Sequence, residues 1–113
     1  MVRLITKMSL LIAFFVYATT AFGQVTIGST TYSNLATAFN AINSGTHTGD
    51  IVVQITNNIT ETSNPILYGS GVGNADYSSI LIYPTGTYTV QITNTNGVLW
   101  LQGADNVTID GKS

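Results

Sequence analysis

Gly103-Ala104-Asp105-Asn106-Val107-Thr108-Ile109-Asp110-Gly111 is the stretch on which the fold turns. Glycine, aspartate and asparagine at its two ends are turn formers. Between them stands Val107-Thr108-Ile109, two branched apolar residues around one outward-facing polar residue, the pattern of a very short strand. The same unit recurs as Val25-Thr26-Ile27, Ile80-Leu81-Ile82 and Val90-Gln91-Ile92, at irregular spacing.

Outward from that stretch, short apolar runs alternate with Gly/Asn turns. Ile51-Val52-Val53-Gln54-Ile55 reads as a strong strand broken at Asn57-Asn58. Ile66-Leu67-Tyr68 is weaker and gives way to a flexible loop, Gly69-Ser70-Gly71-Val72-Gly73-Asn74. Residues 79–83, closed by Pro84, then 88–93 and 98–101 complete an all-β pattern. One helix is legible. Leu35, Ala38, Phe39 and Ile42 fall at i, i+3, i+4 and i+7, so they share one face, with Thr37 opposite. Thr31 or Ser33 is placed to cap its start, and Gly45 sits where a left-handed C-terminal cap is wanted. A helix this short is marginal alone, so its apolar stripe must cover something.

Residues 1–23 read as a secretory signal peptide. Arg3 and Lys7 charge its start, and residues 8–18 form an apolar core shorter than the about 20 residues that span a bilayer. Ala21 and Gly23 flank Phe22 as the small residues a signal peptidase reads, which leaves Gln24 as the mature N-terminus. No positive stop-transfer cluster follows, so a secreted or cell-surface protein without stable membrane insertion is expected. Losing Arg3 and Lys7 takes the net charge from −2 to −4, with Lys112 alone against Asp50, Glu61, Asp76, Asp105 and Asp110. Nucleic acid and anionic membrane surfaces both demand clustered Lys/Arg, which leaves glycans or surface proteins as expected partners. Only 7% of the chain is charged. Thr, Asn, Ser and Gly fill the polar positions instead, which suits exposed strands and turns. There is no cysteine, so no disulfide staples the fold although export would permit one. The chain left after the leader is long enough for one small domain.

Two architectures fit this pattern. Asn96-Gly97 between two apolar runs is a hairpin signal and points to a small antiparallel β-sandwich. The recurring triplets suit a parallel β-helix, whose coils stack on one another with asparagines along the turns.

A resemblance favours the second. Thr31-Tyr32-Ser33-Asn34-Leu35-Ala36-Thr37-Ala38-Phe39-Asn40-Ala41-Ile42-Asn43, followed by Gly49-Asp50-Ile51-Val52-Val53-Gln54-Ile55, resembles the start of a family of large secreted bacterial surface proteins. Ile82-Tyr83-Pro84 and Leu101-Gln102-Gly103-Ala104-Asp105-Asn106-Val107-Thr108-Ile109-Asp110-Gly111 resemble that family's first coils. Its members are right-handed parallel β-helices, adhesin-like and commonly exported by the type IX route. The resemblance covers nearly all of the chain after the leader. Residues 103–111 are its most specific part, although similar phrases occur in polysaccharide-degrading β-helix proteins. The family's C-terminal sorting domain is not among these residues, so the export route is an analogy. The resemblance implies a strand and capping helix over residues 24–50, and first coils over 51–113 that stop short of further ones. An open coil end of that kind is a place for self-association.

No residue pattern identifies an activity. His47, the only histidine, reads as a solvated loop residue, and no Gly-x-Ser-x-Gly elbow accompanies it. Gly69-Ser70-Gly71-Val72-Gly73 lacks the spacing and the helix of a dinucleotide loop. Asp105 and Asp110 sit at opposite ends of a strand, about 15 Å apart at 3.3 Å per residue, too far for a glycosidase pair. No catalytic residue, cofactor or metal ligand is assigned. Asn58-Ile59-Thr60 and Asn106-Val107-Thr108 match the glycosylation sequon, which the bacterial origin implied by the resemblance leaves unmodified. The remaining candidates are aromatic. If Leu99 and Leu101 point inward, alternation puts Trp100 on the surface, where it and Tyr88 are candidates for stacking on sugar rings. The expected function is a non-catalytic capping segment of a surface β-helix protein, in adhesion or glycan contact. The alternative is the N-terminal part of a polysaccharide lyase or glycoside hydrolase whose catalytic coils lie beyond Ser113.

Overall fold

The computed structural model describes residues 23–93 and 97–111. The signal peptide expected at 1–23 therefore lies, but for Gly23, outside the described residues, as do Asn96 of the hairpin signal and Lys112. Within them the protein is mostly β with one short helix. In chain order come β1 (Val25–Ile27), β2 (Thr30–Tyr32), α1 (Leu35–Asn43), β3 (Gly49–Ile55), β4 (Ile59–Glu61) and β5 (Ile66–Tyr68). β6 (Tyr77–Pro84), β7 (Val90–Ile92), β8 (Trp100–Gln102) and β9 (Val107–Ile109) follow.

The largest sheet is mixed, in the order β2-β1-β3-β6-β9. β1 pairs antiparallel with β2 and with β3, whereas β3-β6 and β6-β9 are parallel. Two further parallel pairs, β4-β7 and β5-β8, complete the set. Each of β3, β4 and β5 thus has as its parallel neighbour the strand three places later. The recurring triplets are strands, but they do not all stack on one another. Ile80-Leu81-Ile82 lies in register with Val107-Thr108-Ile109, Val90-Gln91-Ile92 lies on Ile59-Thr60-Glu61, and Val25-Thr26-Ile27 runs antiparallel. The step along the chain also differs between sheets, from Ile51 to Ile80 in one and from Ile66 to Trp100 in another. That difference hides the repeat from a search for a fixed period.

The hairpin expected at Asn96-Gly97 does not pair β7 with β8; each is instead bonded in parallel to an earlier strand. The tight hairpin lies at β1-β2, where Gly28 takes a φ of +61° at the first turn position, as a two-residue loop requires. The loop after β5 is closed by its own backbone bonds, Gly71 N–H to Ala75 O at 2.7 Å and Val72 N–H to Gly69 O at 3.0 Å.

α1 forms as its periodicity predicts, and Leu35, Ala38, Phe39 and Ile42 are all buried. Its N-cap is Asn34 rather than Thr31 or Ser33, because Thr31 is already committed to β2. Asn34 Oδ1 accepts from Thr37 N–H at 2.9 Å, and Thr37 Oγ1 closes the capping box against Asn34 N–H. At the other end Gly45 (φ +84°) donates to Ile42 O and Thr46 N–H to Ala41 O, the two bonds of a Schellman ending.

The core forms where α1 meets the inward residues of the strands: Ile51, Val53 and Ile55 of β3, Ile59 of β4, Leu67 of β5, and Ile80 and Ile82 of β6. α1 and its neighbours also cover strand edges at this end. β1 occupies the edge of β3 over Val53–Ile55. The Asn43 side chain serves β5, donating from Nδ2 to Ile66 O at 2.8 Å and accepting at Oδ1 from Tyr68 N–H at 3.0 Å. At the opposite end the register places Leu101 beside buried Leu67 and Ile109 beside buried Ile82, yet Leu101 is 44% exposed and Ile109 56%.

Candidate functional site

Among the described residues one charged side chain is buried, and composition alone counts it as surface charge. Glu61 closes the Ile59-Thr60-Glu61 strand at an inward position and is fully buried. Its Oε2 accepts from Leu35 N–H at 2.7 Å and Oε1 from Ala36 N–H at 3.2 Å. These are two of the four amide groups that a helix start leaves without an intrahelical partner. A carboxylate there also faces the positive end of the helix dipole. Burial nonetheless raises its pKa above the ordinary 4.5, outweighing the lowering by those two N–H groups. Glu61 joins α1 to the strand floor and is a structural element. The clue in the sequence was the triplet pattern itself, which puts residue 61 on the same side as Ile59.

A cleft of about 420 Å³ opens between Ile27 and Gly28 of the β1-β2 turn, residues 46–48 of the α1-β3 connection and residues 50–52 of β3. His47, read from the sequence as solvated, is half-buried here because the β1-β2 hairpin brings Tyr32 across to it. Tyr32 Oη and His47 Nε2 are 2.7 Å apart, and the rings meet edge to face with centroids 5.8 Å apart. Asp50 on β3 accepts at Oδ1 from Ser79 Oγ at 2.9 Å, across the β3-β6 pair. Between them Val52 shows 42% of its surface. Because β1 pairs only with Val53–Ile55, no strand among the described residues lies on the cleft side of the first residues of β3.

The aromatic candidates lie elsewhere. Trp100 on β8 is 42% exposed while Leu99 packs against the core. Tyr88 stands in the β6-β7 connection with its ring against Gly86. They belong to different elements, and the described contacts do not bring them together. Tyr77 is buried and donates from Oη to Tyr68 O at 2.5 Å. Burial and then the nearby Asp105 charge raise its pKa. Asp105 precedes β9, Asp110 follows it, and Asp76 is exposed before β6. No group of three His, Cys, Asp or Glu side chains with metal-ligating geometry occurs among the described residues.

No protein-family model, curated protein or solved structure matches this chain. No helix among the described residues is long and apolar enough to cross a membrane.

Proposed function

We propose that this chain is the exported N-terminal part of a cell-surface right-handed parallel β-helix protein. In this reading α1 and the β1-β2 hairpin cap the first coil, and the protein serves adhesion or glycan contact. The pairing of β3, β4 and β5 with β6, β7 and β8, in the same order and in parallel, carries the reading, since one coil resting on another pairs in this way. Bonds from turn to turn support it. Asn58 Oδ1 accepts from Thr89 N–H at 2.9 Å, and Asn64 Nδ2 donates to Gly97 O at 2.5 Å, each tying one coil's corner to the next. The right-handed sense follows from the crossover preference of parallel strands. Exposed Leu101 and Ile109, at inward positions, are where a further coil would rest. The signal peptide and the shortage of basic residues favour an exported protein with neutral partners.

The test is made on intact cells of the producing organism. Antibody raised against the exported chain should label the surface, its N-terminus should be Gln24, and deleting the gene should reduce attachment to glycan-coated surfaces. A chain retained inside the cell with Met1 in place would refute the reading.

A further inference from the structure

We propose that the cleft between the β1-β2 turn, the α1-β3 connection and the start of β3 binds a neutral carbohydrate one or two sugar rings long. The proposal rests on the glycan-contact reading and moves that contact from Trp100 and Tyr88 to the capped end. Two polar side chains at the cleft are already held in place, each with an atom to spare. Tyr32 fixes His47 through Nε2, which leaves Nδ1 for a ligand. Ser79 fixes Asp50 through Oδ1, which leaves Oδ2. A carboxylate oxygen of this kind accepts sugar hydroxyls through short, charge-assisted bonds, and side chains held in advance lose little freedom on binding. Thr46 and Thr48 add hydroxyls at the rim, while Ile27 and half-exposed Val52 give an apolar floor for the C–H face of a sugar ring. The backbone of β3 between Gly49 and Val52, which no described strand pairs on this side, supplies further donors and acceptors.

Other ligand classes fit less well. An anion would meet Asp50 with no Lys or Arg anywhere in residues 23–111 to offset it. A calcium ion takes six to eight oxygen ligands, and the cleft has one carboxylate. A polypeptide strand would find an open edge of only four residues, about 13 Å at 3.3 Å per residue, against the roughly 17–20 Å of an ordinary strand. The volume of about 420 Å³ is at the small end of known ligand sites.

Amide shifts of the exported protein, recorded by NMR during titration, test this. The probes are cellobiose, maltose and N,N′-diacetylchitobiose, with glucuronate and the tetrapeptide Thr-Val-Thr-Val alongside. At least one neutral disaccharide should shift the amides of residues 46–52 with millimolar affinity. Asp50→Asn should weaken it about tenfold, through loss of one charge-assisted bond, and His47→Ala should also weaken it. Asn40→Ala, on the exposed face of α1, should leave it unchanged. Sugar-induced shifts confined to Tyr88 or residues 98–102 would overturn the cleft while leaving glycan contact standing. Stronger binding of glucuronate or the tetrapeptide would overturn the ligand class. No shift with any sugar would overturn the proposal outright, whereas surface export is judged separately by the labelling of cells.

Discussion

Glu61→Ala is the sharpest perturbation of the fold. In the native protein both carboxylate oxygens are bonded to helix N–H groups, Leu35 at 2.7 Å and Ala36 at 3.2 Å. Alanine leaves both donors without an acceptor under a fully buried position. A hydrogen bond to a charged group contributes about 1.5–3 kcal/mol, so the two together represent roughly 3–6 kcal/mol. Removing a buried charge returns part of that, as the raised pKa of Glu61 indicates. The expected net loss is about 2–4 kcal/mol, a large share of the about 5–15 kcal/mol by which ordinary domains are stable. Urea unfolding followed by circular dichroism measures it as a lower midpoint at unchanged slope. Glu61→Gln should lose less, since its amide oxygen keeps one of the two bonds. The pH dependence has a definite sign. A carboxyl with a higher pKa folded than unfolded binds its proton more tightly in the folded state. Its contribution is therefore fully present below the unfolded value near 4.5 and is lost as pH rises through the raised folded value. The wild-type protein should accordingly gain stability relative to Glu61→Gln as the pH falls from neutral towards 4.5. An alanine variant within 0.5 kcal/mol of wild type, about the scatter of surface substitutions, would refute the claim that Glu61 holds the helix in place.

Phe39, fully buried between α1 and the strands, should cost about 3–5 kcal/mol on truncation to alanine, while exposed Asn40→Ala should stay within about 0.5 kcal/mol; denaturant unfolding compares them. Thr37→Ala removes a capping-box partner and should cost about 1 kcal/mol in the same assay, although its face is solvent-exposed. Tyr77, held neutral by burial and by Asp105, contributes stability that is present below its ordinary pKa of 10.0 and is lost as pH rises through the raised folded value. An alkaline unfolding series should show this loss, and Tyr77→Phe should remove it. Exposed Leu101 and Ile109, on the outermost described strands of their sheets, should make residues 24–113 self-associate in light scattering, and the double variant Leu101→Lys, Ile109→Lys should be monomeric.

Much of the region around α1 is legible in the sequence. The 3.6-residue spacing of Leu35, Ala38, Phe39 and Ile42 identified the buried face of α1, and Gly45 marked its end. The triplets located short strands at 25–27, 80–82, 90–92 and 107–109. What could not be read was anything set by pairing between distant strands. Ile59-Thr60-Glu61 is too short and too near the Asn57-Asn58 break to declare a strand by itself, and its pairing with β7 is what reveals β4 and its buried carboxylate. Thr31 and Ser33 are good caps, so the sequence alone points to a helix start there, and only the pairing with β1 shows that residues 30–32 form β2. His47 looked solvated because Tyr32, its partner, lies on another element. The cleft could not be foreseen for the same reason, since the β1-β2 turn, the α1-β3 connection and the start of β3 meet only in three dimensions. Alternation separates Trp100 from Leu99, which packs against the core, but Leu101 on the same side as Leu99 is 44% exposed, as Trp100 is 42%.

The proposed parallel stacking of coils beneath α1 is tested by interstrand nuclear Overhauser contacts in the protein. The expected contacts link Thr60 with Gln91 and Leu67 with Leu101 in the parallel pattern. Close Hα–Hα contacts between Val90–Ile92 and Trp100–Gln102, the mark of an antiparallel hairpin, would contradict it and favour the β-sandwich.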